Sequence, residues 1–337
     1  MFNSKNILIT GGTGSFGKTF VRKMLKDYQP NKVIVFSRDE LKQFEMQQEL
    51  AHEFGEELTQ KHVRFFIGDV RDEERLRMAF RGVDIVVHAA ALKQVVAAEY
   101  NPMECLKTNV IGAENIVQAA IEQKVGKVIA LSTDKAANPA NLYGATKFLS
   151  DKLFVAGNNL AGSEGPRFAV VRYGNVHGSR GSIIPFFKRL VDNGATELPV
   201  TDERMTRFWI TLEQGVEFVI KSFGRMQGGE IFVPKIPSIR ITDVVKAFGD
   251  DITYRTIGIR PGEKLHECMC PKEIFYDTLE FDDHFVIKPT YATHQAGIRY
   301  RKNNLGEEGT EVADGFEYVS DTNPTFLSVE EIKGLIQ

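Results

Sequence analysis

The sequence predicts an α/β fold, a doubly wound parallel sheet with a smaller C-terminal domain interleaved with it. Short β-branched runs alternate with helix-period segments through the first half of the chain. These runs are apolar without alternation, which is typical of strands that are buried on both faces. A glycine-rich turn joins the first run to the first helical segment. A β-α-β series of this kind predicts a parallel sheet.

The first half of the sequence predicts strands joined by helices. Between the first two strands, Phe16, Phe20 and Met24 recur at helical spacing and predict a helix that covers the sheet. Asn101 and Pro102 predict an N-cap and a first-position proline that open the helix carrying residues 105–121. The predicted strands are NILIT, KVIVFS, VRFFIGD, DIVVHAA, KVIALST and FAVVRYGNV.

The regular alternation weakens from about Gly178 onward. Helical stretches SIIPFFKRLVDNG and LEQGVEFVIKSFGRM alternate there with short strands EIFVPKI and ITYRTIGI, and the tail is loop-like. We predict a first domain over residues 1–175, with a return segment at about 207–237. A second domain is predicted over residues 176–206 and 238–337.

Composition predicts a soluble cytoplasmic protein without nucleic-acid or membrane partners. The net charge of -3 comes from 42 basic and 45 acidic residues that are interspersed, so no broad field favours polyanions. No apolar run approaches the roughly 18 to 20 residues of a membrane span, and the start of the chain enters a strand without a signal-peptide pattern. Cys105, Cys268 and Cys270 lack paired metal-ligand spacing, so we expect no metal site.

The turn after the first strand predicts a dinucleotide site. In ILITGGTGSFGK, three glycines at G-x-x-G-x-x-G spacing stand between a strand and a helix. Glycine lets the backbone approach a pyrophosphate, which the amide groups of a helix N-terminus stabilise. A tight turn needing glycine for packing alone is the alternative. The predicted contacts are Gly11, Thr13, Gly14, Ser15, Phe16 and Gly17.

The end of the second strand favours NADP over NAD. An NAD site usually has an acid there for the ribose 2'-hydroxyl, whereas FSRDELK offers Ser37 and Arg38, with Lys42 one turn later. These groups suit a 2'-phosphate. Asp39 comes one residue too late for the usual acid and is predicted to be the N-cap of the next helix. The predicted contacts are Ser37, Arg38, Asp39, Glu40, Leu41 and Lys42.

Two later segments fit the same cofactor. Asp69 and Val70 follow the third strand, where an adenine edge would lie. Ala89, after the fourth strand, begins a run of three alanines where larger side chains would collide with a bound cofactor. Helix–sheet packing explains the alanines equally well.

The segment LSTDKAANPANLYGATK combines acid–base groups. Tyr143 and Lys147 are one helical turn apart, so the ammonium can reach the phenol and lower its pKa from about 10. Such a tyrosine can take a hydroxyl proton during oxidation. Thr133, Asp134 and Lys135 precede this pair. A chance Tyr–Lys pair and a surface Asp–Lys pair remain the alternatives.

Together these motifs resemble the extended short-chain dehydrogenase/reductase family. Within it, the chain is similar to the inverting UDP-N-acetylglucosamine 4,6-dehydratases that start pseudaminic acid synthesis. Tyr143 points to this branch, because membrane-anchored and capsule-type relatives generally carry methionine there. The family more often has histidine and proline where this chain has Gln94 and Val96. The motifs are TGGTGSFGK, FSRDELKQ, STDKAANPANLYGATK, VRYGNVHGSRGS, RMTRFWIT, IGIRPGEKLHE and SDTNP.

The resemblance implies a reaction. The first domain would be a Rossmann domain that binds NADP, and the second would bind UDP-N-acetylglucosamine. The product would be UDP-2-acetamido-2,6-dideoxy-beta-L-arabino-hex-4-ulose, made by a homo-oligomer that is a hexamer in relatives.

The same resemblance implies roles for the catalytic segment. Oxidation at C4 acidifies the C5 hydrogen, and the resemblance implies that Lys135 removes it, where glucose-type dehydratases carry Glu. Asp134 would protonate the departing C6 hydroxyl, and Thr133 would hydrogen-bond the C4 oxygen. A lysine base needs its pKa lowered by roughly 3 units, about 4 kcal/mol. Adjacent Asp134 opposes that shift, unless the neutral pair forms as a proton tautomer of the ion pair.

The remaining contacts also come from the resemblance. Further cofactor contacts are Lys93, Thr108, Asn109 and Val176. Substrate contacts are Lys93, Asn175, Arg180, Gly181, Ser182, Pro199, Thr201, Arg260, Ser320, Asp321, Thr322 and Asn323.

Three other functions stay open. A nucleotide-sugar 4-epimerase would need no C5 chemistry, so Asp134 and Lys135 disfavour it. A retaining 4,6-dehydratase would share the site but not the stereochemistry. A non-catalytic NADP-sensing protein would typically have lost Tyr143 or Lys147.

Overall fold

The apolar runs of the first half form strands, as predicted. In the computed structural model, which describes residues 1–178, 183–291 and 298–336, all four residues of the fourth strand are buried. The first strand is buried at every residue except Asn6, which is partly exposed. The strands are Asn6–Thr10 (β1), Lys32–Ser37 (β2), Val63–Ile67 (β3), Ile85–His88 (β4), Lys127–Thr133 (β5) and Arg167–Tyr173 (β6).

A large sheet, ten-stranded within the described residues, forms the centre of the fold. Besides the six strands above it contains Ile231–Pro234 (β10), Thr278–Glu280 (β14), His284–Ile287 (β15) and Thr310–Glu311 (β16). Its order is β16-β14-β15-β10-β6-β5-β4-β1-β2-β3, and the run from β10 to β3 is parallel. The strand order reverses at β1, between β2 and β4, and such a switch point is where doubly wound folds bind ligands. The predicted fold class is confirmed.

Helices cover the sheet, and the predicted apolar stripe packs inward. Phe20 and Met24 of the first helix are fully buried, and Phe16 packs on the core from its edge. The helices are Ser15–Asp27 (α1), Glu40–Phe54 (α2), Glu56–His62 (α3), Glu73–Ala79 (α4), Val95–Tyr100 (α5), Pro102–Leu106 (α6), Gly112–Glu122 (α7), Leu142–Ala161 (α8), Ile183–Asp192 (α9), Leu212–Arg225 (α10), Ile241–Lys246 (α11) and Val329–Ile336 (α12).

Two local predictions need correction. Pro102 begins α6 as predicted, but the Asn101 side chain does not cap it and donates instead to the Ala97 carbonyl oxygen at 3.0 Å. The helix predicted over residues 105–121 is interrupted by a π-helical turn at Lys107–Ile111.

A second, smaller core lies beside the large sheet. It contains Ile184, Phe187, Trp209 and Val244, with Ile332 from the last helix. FAVVRYGNV, predicted as one strand, breaks at Gly174, where a Cβ would lie 2.4 Å from the Cβ of Phe208. The small sheets are made of Asn175–Val176 (β7), Glu197–Val200 (β8), Thr206–Ile210 (β9), Ser238–Arg240 (β11), Thr253–Thr256 (β12), Cys268–Cys270 (β13) and Tyr318–Val319 (β17).

Cys105, Cys268 and Cys270 are buried free thiols. Among the helices in the described ranges, none combines the length and apolarity needed to cross a bilayer.

Candidate active site

A cleft of about 630 Å³ lies at the carboxyl ends of the parallel strands. Residues that end or directly follow β1 to β6 line it, so one cavity joins the glycine turn to the segment after β5. Most of the predicted site residues line this cleft. They are Gly11, Thr13, Gly14, Ser15, Phe16, Gly17, Ser37, Arg38, Asp39, Lys42, Asp69, Val70, Ala89, Lys93, Thr108, Thr133, Asp134, Lys135, Tyr143, Lys147, Asn175 and Val176.

The glycine turn is too tightly packed for side chains. Gly11 has a φ of +65°, and a Cβ there would lie 2.9 Å from the Ala90 Cα. A Cβ on Gly17 would lie 2.3 Å from the Gly12 carbonyl oxygen. Helix α1 begins at Ser15, so its first amide groups lie at the cleft. This cradle fits the pyrophosphate of a dinucleotide.

The end of β2 presents basic groups to the cleft. Asp39 is the N-cap of α2, as predicted, and its Oδ1 accepts from the Lys42 amide at 3.0 Å. The Lys42 ammonium contacts the other oxygen of Asp39. The Arg38 guanidinium is about half exposed and lies 3.5 Å from Asp69 Oδ2. Ser37 is buried, and its hydroxyl accepts from Gln43 at 3.0 Å.

The catalytic segment folds as a strand, a 3₁₀ turn and a helix. β5 ends at Thr133, the turn spans Asp134–Ala136, and α8 begins after its N-cap Asn141, whose side chain accepts from the Gly144 amide at 2.8 Å. Tyr143 and Lys147 therefore fall on the first two turns of α8, facing the same cleft.

Burial dominates the electrostatics of the Tyr143–Lys147 pair. It raises the pKa of Tyr143 to about 12, although the positive charge of Lys135 and a hydrogen bond with Thr133 act to lower it. Burial also lowers the pKa of Lys147, against the opposing charge of Asp151. A phenolate at Tyr143 needs additional positive charge, which an oxidised nicotinamide ring would supply.

Asp134 and Lys135 form an ion pair in which the carboxylate is fully buried and the lysine is partly exposed. Lys135 Nζ lies 3.0 Å from Asp134 Oδ1, and the Thr133 hydroxyl donates to the same oxygen at 2.8 Å. Burial raises the pKa of Asp134. Burial also disfavours the ammonium form of Lys135, but the charges of Asp134 and Glu267 outweigh it and raise the pKa of Lys135. This direction is opposite to the one that a lysine base requires.

Sequence reasoning missed Glu267. Its Oε1 lies 3.2 Å from Lys135 Nζ, and its side chain is almost fully buried. The positive charges of Lys135 and Arg207 outweigh burial and lower the pKa of Glu267. The one sequence feature that indicates this residue is its position: it is an acid that ends the motif IGIRPGEKLHE and directly precedes the buried strand CMC. Nothing local connects that acid to a lysine more than a hundred residues earlier.

Three predicted cofactor residues lie outside the cleft lining. Glu40 and Leu41 are exposed on the first turn of α2. Asn109 is buried, and its side-chain amide accepts from the Leu92 amide at 2.8 Å and donates to the Thr146 hydroxyl at 3.0 Å.

The late substrate-side residues take up different positions. Ser320 is fully buried, 2.7 Å from the Thr206 hydroxyl, and Asn323 donates to the Ile236 carbonyl oxygen at 2.8 Å. Asp321 and Thr322 are exposed between them.

The other substrate-side residues divide between cleft and surface. Asn175 lines the cleft, and its buried Oδ1 has no hydrogen-bond partner among the described residues. Pro199 and Thr201 are half-buried at the end of β8, and the Arg260 side chain is exposed, 4.0 Å from Glu263. Arg180, Gly181 and Ser182 lie outside the described residues.

The sequence is similar to characterised families over nearly its full length. Residues 7–289 match the family model described as polysaccharide biosynthesis protein. The chain is 57% identical over 336 residues to a UDP-N-acetylglucosamine 4,6-dehydratase (inverting) of Campylobacter jejuni subsp. jejuni serotype O:2, covering 100% of this chain and 98% of the relative. It is 40% identical over 343 residues to a UDP-glucose 4-epimerase of Rickettsia akari, covering 100% and 96%.

Solved structures share the fold. The X-ray structure of Pen from Bacillus thuringiensis has a TM-score of 0.87 and 36% identity, covering 100% of this chain and 98% of that one. DesIV, a dTDP-glucose 4,6-dehydratase from Streptomyces venezuelae solved with NAD and TYD bound, has a TM-score of 0.66 and 25% identity, covering 77% and 86%.

Proposed function

The chain belongs to the polysaccharide biosynthesis protein family, within the extended short-chain dehydrogenases/reductases, and from this membership we propose that it is an inverting UDP-N-acetylglucosamine 4,6-dehydratase. One observation carries the proposal: Thr133, Asp134 and Lys135 line the same cleft as Tyr143 and Lys147. An oxidoreductase without dehydration needs only the second pair.

NADP is the proposed cofactor. The glycine cradle fits a pyrophosphate, and Arg38 and Lys42 line the cleft at the end of β2, where a 2'-phosphate would be neutralised. Lys147 lies beside Tyr143, where it can hold the nicotinamide ribose. When bound, such a cofactor supplies reversible oxidation and reduction of the sugar.

Tyr143 starts the reaction by taking the proton of the C4 hydroxyl. Because burial raises the pKa of Tyr143 to about 12, this step depends on positive charge nearby, from Lys135, which acts to lower that pKa, and from an oxidised cofactor. The Thr133 hydroxyl lies next to Tyr143, and when the sugar binds, its single proton turns from Asp134 Oδ1 to the C4 oxygen, where it stabilises the charge that develops.

Elimination uses the Asp134–Lys135 pair as a unit. A proton passes from Lys135 to Asp134, which leaves the total charge of the pair unchanged and becomes more favourable as substrate excludes water. The Lys135 amine then removes the C5 proton, and Asp134 gives its proton to the C6 oxygen, which leaves as water. The original ion pair is restored, and the raised pKa of Asp134 supports its role as the acid.

Location, oligomeric state and product are proposed as well. We place it in the cytoplasm as a homo-oligomer, a hexamer by analogy with relatives, that makes UDP-2-acetamido-2,6-dideoxy-beta-L-arabino-hex-4-ulose for pseudaminic acid. We also propose that residues 1–175 and about 207–237 bind cofactor and that residues 176–206 and 238–337 bind substrate. The two hydrophobic cores do not follow these bounds, because β14, β15 and β16 belong to the large sheet and Trp209 packs in the smaller core.

The test is incubation with UDP-N-acetylglucosamine in deuterated water, followed by mass spectrometry and NMR. We expect loss of water, deuterium uptake and an inverted C5. Retained C5 configuration would indicate a retaining dehydratase. An unchanged mass with a C4 epimer would support the second candidate, a 4-epimerase, which the 40% identity to the Rickettsia akari protein favours. No reaction at all would point to an NADP-sensing protein.

A further inference from the structure

Lys135 is held by two carboxylates that come from opposite halves of the chain. Its Nζ lies 3.0 Å from Asp134 Oδ1 and 3.2 Å from Glu267 Oε1. Both acids are buried, whereas a quarter of the lysine side chain is exposed. Asp134 and Lys135 line the cleft, whereas Glu267 is not among its lining residues, so Glu267 acts on a substrate only through the lysine.

Glu267 is itself fixed in place. Its backbone amide donates to the Ser320 hydroxyl at 2.9 Å, and its carbonyl oxygen accepts from the Ser320 amide at 2.8 Å. Arg207 Nε lies 3.9 Å from Glu267 Oε1, and the same guanidinium donates to the Leu265 carbonyl oxygen at 3.0 Å. The carboxylate therefore has a set position before any ligand binds.

Residues 262–267 are hydrogen-bonded to the catalytic segment at two further points. Asn141, the N-cap of α8, donates to the Gly262 carbonyl oxygen at 2.8 Å. Lys264 Nζ donates to the Ala137 carbonyl oxygen at 2.6 Å. Gly262 adopts a φ of +79°, and a Cβ there would lie 2.9 Å from the Asn141 Cβ, so the approach requires glycine. Three contacts thus join this segment to residues 135–141.

The two fixed carboxylates determine the direction of the third bond on the Lys135 nitrogen. A lysine ammonium has three donors around a tetrahedral nitrogen. Asp134 and Glu267 occupy two of these directions from the buried side, so the third faces the cleft that Lys135 lines. Once a proton has passed to Asp134, rotation about the Cε–Nζ bond can direct one N–H at the remaining acceptor of the Asp134 acid group and one at the Glu267 carboxylate, and the lone pair then occupies that third direction.

We propose that Glu267 is a positioning residue that, with Asp134, aims the lone pair of Lys135 at the C5 hydrogen of the substrate. This inference rests on the proposed function. Asp134 exchanges protons with the lysine, whereas Glu267 stays ionised and fixes the nitrogen. The other charged or titratable groups around Lys135 are Arg207 and Lys264, which are positive, and the Tyr143 phenol.

Two substitutions distinguish the orienting effect of Glu267 on Lys135 from the effect of its negative charge. Glu267→Gln keeps an acceptor oxygen but removes a negative charge, so the pKa of Lys135 should fall. Its kcat should stay within about tenfold of the parent, with the acidic limb of the pH profile moved to lower pH. Glu267→Ala removes the acceptor as well as the charge, so its acidic limb should move in the same direction, and kcat on the plateau of the pH profile should fall about a hundredfold, with KM within about threefold. Exposed Glu273→Gln is the matched control and should change neither.

A second readout needs no turnover. The pH dependence of Lys135 labelling by dinitrofluorobenzene, followed by peptide mass spectrometry, should shift to lower pH in Glu267→Gln. An unchanged labelling profile and an unmoved limb in this variant would overturn the proposal, as would full kcat in Glu267→Ala. If the parent protein does not dehydrate UDP-N-acetylglucosamine, the proposed function is wrong, and so is the inference that the Lys135 lone pair is directed at the C5 hydrogen. The labelling shift would then report only the Glu267–Lys135 contact.

Discussion

A Cβ atom on Gly144 would lie 2.2 Å from the carbonyl oxygen of Lys135. Gly144 directly follows Tyr143, so the helix that carries the tyrosine packs against the turn that carries the lysine with no room for a side chain. The distance between the oxidation and elimination groups of the site depends on this contact.

Gly144→Ala should therefore damage catalysis more than cofactor binding. Forcing a methyl group against the backbone costs about 1 to 3 kcal/mol and must displace the turn. We expect kcat to fall at least about tenfold, since small misplacements of reacting groups are costly, while the Kd for NADP stays within about twofold. Gly215→Ala is the control, because a Cβ there meets nothing within 4 Å. An equal loss of kcat in both variants would contradict the contact argument.

Lys135→Ala should abolish elimination but keep the cofactor. Without the amine, no group at this position removes the C5 proton, so dehydration and deuterium exchange at C5 should fall by about 10² to 10⁴. NADP binding, measured by fluorescence titration, should persist because the glycine cradle is untouched. The exposed Lys26→Ala serves as control. Normal turnover of Lys135→Ala would remove the lysine from the mechanism.

Arg38→Ala should change cofactor preference. Hydrogen bonds to charged groups contribute about 1.5 to 3 kcal/mol, so the Kd for NADP should rise about ten- to a hundredfold, with little change in the Kd for NAD. Calorimetric titration of both cofactors measures this difference. The exposed Arg81→Ala should leave both values unchanged. Equal weakening of NAD and NADP would argue against a 2'-phosphate contact.

His88 should make stability depend on pH. Burial, assisted by the charge of Lys147, lowers the pKa of His88 to about 3, and its Nδ1 lies 2.8 Å from the Thr10 hydroxyl. The unfolded chain, with a histidine pKa of about 6.5, binds a proton that the folded chain does not. The His88 contribution to the free energy of unfolding is thus complete above about pH 6.5 and decreases as pH falls toward 3, by at most about 1.4 kcal/mol per pH unit.

Urea unfolding of the parent and of His88→Asn at pH 7 and pH 5 tests this dependence. The loss of stability between the two pH values should be smaller in the variant. Exposed His52→Asn should behave like the parent. If His88→Asn loses as much stability as the parent on acidification, another group titrates instead.

The sequence predicted features whose causes are close together in the chain. Tyr143 and Lys147 share a helix face because they are four residues apart, and Asp39 caps α2 because an acid before a helix accepts its amide groups. The strands were recognised from unbroken apolar runs, since burial on both faces leaves no alternation.

Features that depend on distant contacts were not predictable. Glu267 reaches Lys135 only because β13 packs beside the 3₁₀ turn, and no local pattern encodes that pairing. The motif SDTNP predicts Ser320 as a substrate contact, yet its hydroxyl is hydrogen-bonded to Thr206 and the Glu267 amide. A polar residue in a motif can thus support its neighbours, and burial separates the two roles.

The hydrogen bond between Asn141 and Gly262 also limits which hybrids can be built from two relatives of this enzyme. A hybrid that joins the first half of one relative to the second half of another inherits the lysine from one parent and the acid at position 267 from the other. Such hybrids should retain cofactor affinity yet lose turnover unless both parents share the pair. Crossover points that keep residues 135–141 and 262–267 from a single ancestor should be the productive ones.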